Sequence, residues 1–159
     1  MSHPEQLLWQ YVRRRLRQRG HAVRVENPLD PGMPDVSYAC PASVSATGAA
    51  TEGWLELKVA PAVARHDTII RTRVAAAQRT WWRERAARGG RVRVFLRIVP
   101  AQPELRAAGC LDLVLDGPEA AAVLGHVDRA ALLRCAIDHW DAPHKIDGVR
   151  LWRALTLIR

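Results

Sequence analysis

The sequence predicts an α/β (α+β) protein with a mixed central sheet flanked by helices. Three observations carry that expectation. Short segments at 35–40, 54–59 and 91–99 alternate or run apolar as strands do. Longer segments at 2–20 and 71–88 repeat their apolar residues at helical spacing. Finally, three strands follow one another through short connections, whereas the third and fourth are separated by a helix, which demands a parallel crossover. A chain of 159 residues, 48% hydrophobic, is enough for one domain with a real core. The expected organisation is a single domain over 1–159, with a core at about 1–99 and an extension with helical additions at about 100–159.

The first helix reads from "SHPEQLLWQYVRRRLRQRG", with Ser2 as N-cap, Glu5 three residues on as a capping-box partner and Gly20 as the stop. Leu8, Val12 and Leu16 share one face with Trp9 beside them. "HAVRVE" (21–26) alternates as a strand, "NPLDPG" breaks the chain, and "DVSYAC" (35–40) is the second strand. "PASVSATGAATEG" is small and polar and reads as a mobile hairpin loop before the strand "WLELKV" (54–59). A basic loop, "APAVARHDT", leads to the helix 71–88, which Gly89 and Gly90 close. "RVRVFLRIV" (91–99) is the clearest strand in the chain. After the connection 100–103 come a short strand, "LDLVL" (111–115), helical stretches near 118–126 and 128–139, and a tail, "VRLWRALTLIR", readable as helix or strand.

A net charge of +8 and a pI near 10.6 make a polyanion the expected partner, nucleic acid ahead of an anionic membrane surface. No run reaches the roughly 20 apolar residues of a membrane span, and the opening residues lack the order of a secretory signal. The expected location is cytoplasmic, in a bacterium or a phage-infected host. Cys40, Cys110 and Cys135 are odd in number and widely spaced, which supports neither a disulfide framework nor a zinc knuckle. Cys135 and His139 would share a helix face, and His144 follows, yet a fourth ligand is lacking. His66 beside Asp67 reads as an incidental loop pair. Among 24 basic residues only Lys58 and Lys145 are lysines, which makes Lys58 conspicuous.

On the strand 54–59, Trp54, Glu56 and Lys58 point one way while Leu55, Leu57 and Val59 point the other. The apolar trio enters the core and leaves an acid and an amine side by side. Asp35 starts the preceding strand, directly after the turn residues Gly32 and Pro34, so pairing of the two strands brings it toward Glu56. Two carboxylates that close raise each other's pKa until a hard cation such as Mg²⁺ or Mn²⁺ relieves them. A lysine ammonium beside them is placed to orient a water and to neutralise a phosphate.

Asp35 after Pro34 and then Glu56-Leu57-Lys58 resemble the PD-(D/E)xK signature of restriction-endonuclease-like nucleases. "GMPDV", "ELK" and a later helix with Gln78 before Trp81 and Trp82 are most similar to the VRR-Nuc branch and to archaeal-type Holliday junction resolvases, over roughly residues 5–98. The resemblance implies a restriction-endonuclease-like αβββαβ core that hydrolyses DNA phosphodiesters with Mg²⁺ or Mn²⁺. It implies Asp35 and Glu56 as metal ligands, joined by the Leu57 carbonyl, and Lys58 as the catalytic amine. The family's first-helix glutamate falls on Glu5 and its second-helix glutamine on Gln78, both facing the sheet by helical spacing. Glu5 has two readings, helix cap and metal-site acid. One position departs from the pattern, since Ala75 stands where Ser or Thr often precedes that glutamine by three.

Arg13, Arg14 and Arg17 on the first helix, and Arg65, Arg71 and Arg73 after the active strand, are expected to contact the DNA backbone. Trp81 and Trp82 read as core. The leading expectation is a metal-dependent endonuclease selective for branched or junction DNA, acting as a homodimer in recombination, repair or phage genome processing. The alternative is a basic DNA-binding protein that keeps the fold and does not cut. A third reading, binding to a membrane surface through the first helix, would need the apolar face that the core also requires.

Overall fold

The computed structural model describes residues 3–25, 32–63, 65, 67–100, 109–141 and 146–158. Helix α1 (His3–Leu16) leads into strands β1 (His21–Arg24), β2 (Val36–Cys40) and β3 (Thr51–Pro61). Helix α2 (Ala76–Ala87) then crosses to β4 (Val92–Val99), and β5 (Leu111–Asp116), α3 (Gly117–Val123), α4 (Arg129–Cys135), β6 (Asp138–Asp141) and α5 (Gly148–Thr156) follow. The six strands form one mixed sheet in the order β1-β2-β3-β4-β5-β6. β3 and β4 are parallel, as the crossover through α2 requires, and every other neighbouring pair is antiparallel. No helix among the described residues is long and apolar enough to cross a membrane.

Strand alternation sorts the core into two layers. Leu55 and Leu57 of β3 meet Val36, Tyr38, Phe95 and Val114 under α1 and α5, with Leu8, Val12, Leu16, Leu151 and Trp152 packed onto them. The opposite face carries Val94, Leu96, Leu113 and Leu115 against Trp82 of α2 and the α3–α4 pair. Trp82 is therefore core, as expected, and the half-buried Trp81 stands edge-on to Trp54, with ring centroids 5.7 Å apart. Charges on the α1 side of β4 and β5 are paired across the ladder. Arg97 grips Asp112 through two bonds of 2.6 and 2.7 Å and stacks on Tyr11, and Arg93 pairs with Asp116.

Several boundaries differ from expectation, each for a tertiary reason. The helix expected over 71–88 begins only at Ala76, because the residues before it run without helical bonding along the α3–α4 connection: Ile70 is buried and its N–H bonds to the Val127 carbonyl at 3.0 Å. β3 starts at Thr51, three residues early, since Thr51 pairs with Cys40 at the end of β2. The helix expected over 128–139 stops at Cys135, and Asp138–Asp141 pairs with β5 as an edge strand. Cys135 and His139 consequently share no helix face; His144, His66, Ser2 and Lys145 lie outside the described residues. The tail resolves as helix α5, and the three cysteines are free thiols.

Candidate active site

β2 ends its pairing with β3 at Val36 opposite Leu55, while β3 continues to Pro61. Beyond Leu55 the ladder is therefore open on the β2 side among the described residues, leaving a notch that both helical layers can reach. Trp54 gives its N–H to Arg91 on the β4 side, so by alternation Leu55 and Leu57 turn their N–H and C=O groups toward β2. Leu57 has no β2 partner there. Its N–H is taken instead by the side chain of Asp35, Leu57 N to Asp35 Oδ2 at 3.1 Å, and its carbonyl faces the same notch.

Glu56 is buried, with 1% of its side chain exposed, and two side chains converge on its Oε1. Lys58 Nζ lies 2.7 Å away and Gln78 Nε2 donates at 2.6 Å. The other oxygen, Oε2, is also buried and has no hydrogen-bond partner. An orphaned carboxylate oxygen is costly. Burial pushes the Glu56 carboxyl up to about 7, against the attraction of Lys58 and with added repulsion from Asp35 and Glu5. Asp35 is also raised, by burial first, although the Leu57 N–H and Lys58 pull it down.

Glu5 approaches from the first turn of α1, its Oε1 3.8 Å from Lys58 Nζ. Gln78 approaches from the first turn of α2. Its Oε1 accepts the N–H of Ala75, the residue before the helix, at 3.1 Å, while its amide nitrogen holds Glu56. This is the glutamine half of a capping box, with no hydroxyl at Ala75 to complete it. Both ends of the amide are thereby oriented, one by a donor and one by an acceptor. Gly32 has an unexpected part. A Cβ at Gly32 would sit 2.6 Å from the Ala77 carbonyl oxygen, so a bare backbone lets the strand entry carrying Asp35 rest directly on the helix carrying Gln78. Sequence reading took Gly-Met-Pro as a turn and missed this contact, for which only the glycine itself was a signal.

The structure thus gathers Asp35, Glu56, Leu57, Lys58, Glu5 and Gln78 at one notch. Among the described residues no group of three or more His, Cys, Asp and Glu side chains is spaced to hold a metal ion. The donor set that does fit a hard cation is two carboxylates and one backbone carbonyl, since Mg²⁺ keeps several waters and commonly uses one or two protein carboxylates. The orphaned Glu56 oxygen and the two raised carboxyls favour a positive charge there.

The arginines lie elsewhere. Arg13, Arg14 and Arg17 are exposed on the outer face of α1 and, with Gln10, line a shallow groove of about 490 Å³. Arg71 and Arg73 are exposed on the irregular segment before α2. Arg65 is exposed and pairs with Asp67 at 2.9 and 3.1 Å. No family model matches the chain, and no curated protein or solved structure matches it significantly.

Proposed function

We propose that the protein is a divalent-metal-dependent deoxyribonuclease with a restriction-endonuclease-like core, hydrolysing phosphodiesters in branched or junction DNA. The observation that carries this reading is the buried Glu56 oxygen left without a partner beside Asp35, with a lysine ammonium held 2.7 Å from the same carboxylate. An ordinary structural ion pair has no reason to strand one oxygen in this way. The order helix, three antiparallel strands, helix and parallel strand also supports it.

Asp35, Glu56 and the Leu57 carbonyl would hold Mg²⁺ or Mn²⁺, which when bound supplies Lewis-acid stabilisation of the phosphoryl charge. Lys58 has three donor hydrogens; one goes to Glu56, Glu5 stands 3.8 Å away as a second negative charge, and a hydrogen aimed into the notch orients a water or meets a phosphate oxygen. Gln78 keeps Glu56 from swinging away from that amine. Arg13, Arg14, Arg17, Arg65, Arg71 and Arg73 hold backbone phosphates without reading bases, so selectivity rests on the shape of the DNA. Symmetric cuts across a junction require two such sites and hence a homodimer.

The test is cleavage of labelled junction, flap, duplex and single-stranded DNA with Mg²⁺, Mn²⁺ or EDTA. Wild type is expected to cut only with metal, and Lys58→Ala to lose about 10²-fold or more of that rate while still binding DNA. Tight binding with no cutting of any substrate would leave the alternative, a non-catalytic basic DNA-binding protein.

A further inference from the structure

A cleft of about 610 Å³ lies away from the notch, where the first residues of β3 meet the turn between α2 and β4. Its walls include Gly53, Gly89, Gly90 and two arginines, Arg85 and Arg91. The Nη1 nitrogen of Arg91 is buried and has no hydrogen-bond partner. Arg85 lies flat across Gly90, where an added Cβ would stand 2.5 Å from its Nε. The pair of glycines after α2 therefore does more than end the helix, because the bare Gly90 admits one guanidinium next to the residue that bears the other. Glu52 shares the cleft and is exposed, yet it forms no ion pair with either arginine. A guanidinium partly withdrawn from water with no counter-ion calls for an anion.

We propose that this cleft binds a backbone phosphate of the substrate strand through Arg85 and Arg91, about four nucleotides from the phosphate at Lys58. The nucleic-acid identity of the ligand rests on the nuclease reading; the affinity for an oxyanion does not. The spacing follows from the strand itself. Gly53 and Trp54 precede Lys58 on β3, so at about 3.3 Å per residue the cleft and the notch are roughly 13–17 Å apart. A nucleic-acid strand rises about 3.4 Å per nucleotide, which places the second phosphate about four nucleotides away. The arginines on α1 and after β3 neutralise charge over a broad surface, whereas this cleft fixes one phosphate and so sets the register of the strand across the notch.

The experiment measures binding of a labelled duplex and a labelled single strand in EDTA over a range of salt, for wild type, Arg85→Gln, Arg91→Gln and the control Arg88→Gln. Arg88 caps the end of the same helix, exposed and paired with Glu84. Each cleft variant is expected to weaken binding about 3- to 10-fold and to flatten the dependence of log K on log salt by about 1, with the control changing neither. Unchanged affinity and slope in both cleft variants overturn the proposal. Should Arg91→Gln fail to fold by circular dichroism, the exposed Arg85→Gln decides. A second arm titrates inorganic pyrophosphate and follows the amide resonances of Gly89, Gly90 and Arg91. If wild type binds no DNA but these resonances move, and do not move in Arg85→Gln, the anion site stands and the nuclease reading falls. If they stay still in wild type, the anion site falls as well.

Discussion

A carboxyl group that burial holds near pKa 7, as at Glu56, titrates where most enzymes work. Below about 4.5 it is protonated in the folded and unfolded chains alike; between there and 7 the folded chain keeps a proton that the unfolded chain has lost. The stability this group contributes is thus complete at low pH and is lost as pH rises through 7. Protons compete with a divalent cation for the same oxygens. Added Mn²⁺ is therefore expected to raise Tm little near about pH 5.5 and clearly more near about pH 8, an increment that Glu56→Gln abolishes, as thermal melts with and without metal will check. Asp35, Glu56 and Lys58 were legible in the sequence because a strand's alternation exposes a charge on a face that should be apolar. The role of Gly32 was not, since the atom that excludes a side chain there belongs to Ala77, 45 positions along the chain.

At the scale of elements, α2 delivers Gln78 and rests on the strand entry through Gly32. Gly32→Ala forces backbone against backbone and is expected to cost about 1–3 kcal/mol of stability, measured by urea unfolding; on the proposed nuclease function it also lowers cleavage further than that loss explains, by drawing Gln78 off Glu56. Ala75→Ser supplies the hydroxyl missing from the half-made capping box. It is expected to add about 1 kcal/mol, or roughly 2–4 °C in Tm, with cleavage retained. Strands β2, β3 and β4 were readable because their own residues alternate or run apolar. The start of α2 was not, because the sequence 71–75 is helix-compatible and its placement depends on contacts such as Ile70 N–H to the Val127 carbonyl, made far along the chain. β6 was read as a continuation of a helix for a similar reason: its strand identity comes from the free edge of β5, and four residues carry too little pattern to announce it.

At the scale of the whole molecule, α5 closes the core layer that α1 opens. Trp152 donates its indole N–H to the Leu16 carbonyl at 3.2 Å, stands edge-on to Tyr38 and covers Gly20, where a Cβ would strike its ring at 2.5 Å; the Tyr38 hydroxyl in turn donates to the Leu155 carbonyl at 2.9 Å. Trp152→Ala is expected to cost about 3–5 kcal/mol and to lower Tm by roughly 6–20 °C, read by calorimetry. These bonds join residues 136 and 117 positions apart. At about 5–20 residues per second a ribosome needs roughly 7–27 s to make the chain between Leu16 and Trp152. Throughout that interval the nascent α1 layer, which carries Glu5 at its first turn, lacks the cover that α5 supplies. Chain growth thereby delays the closing of that layer until the last helix has been made.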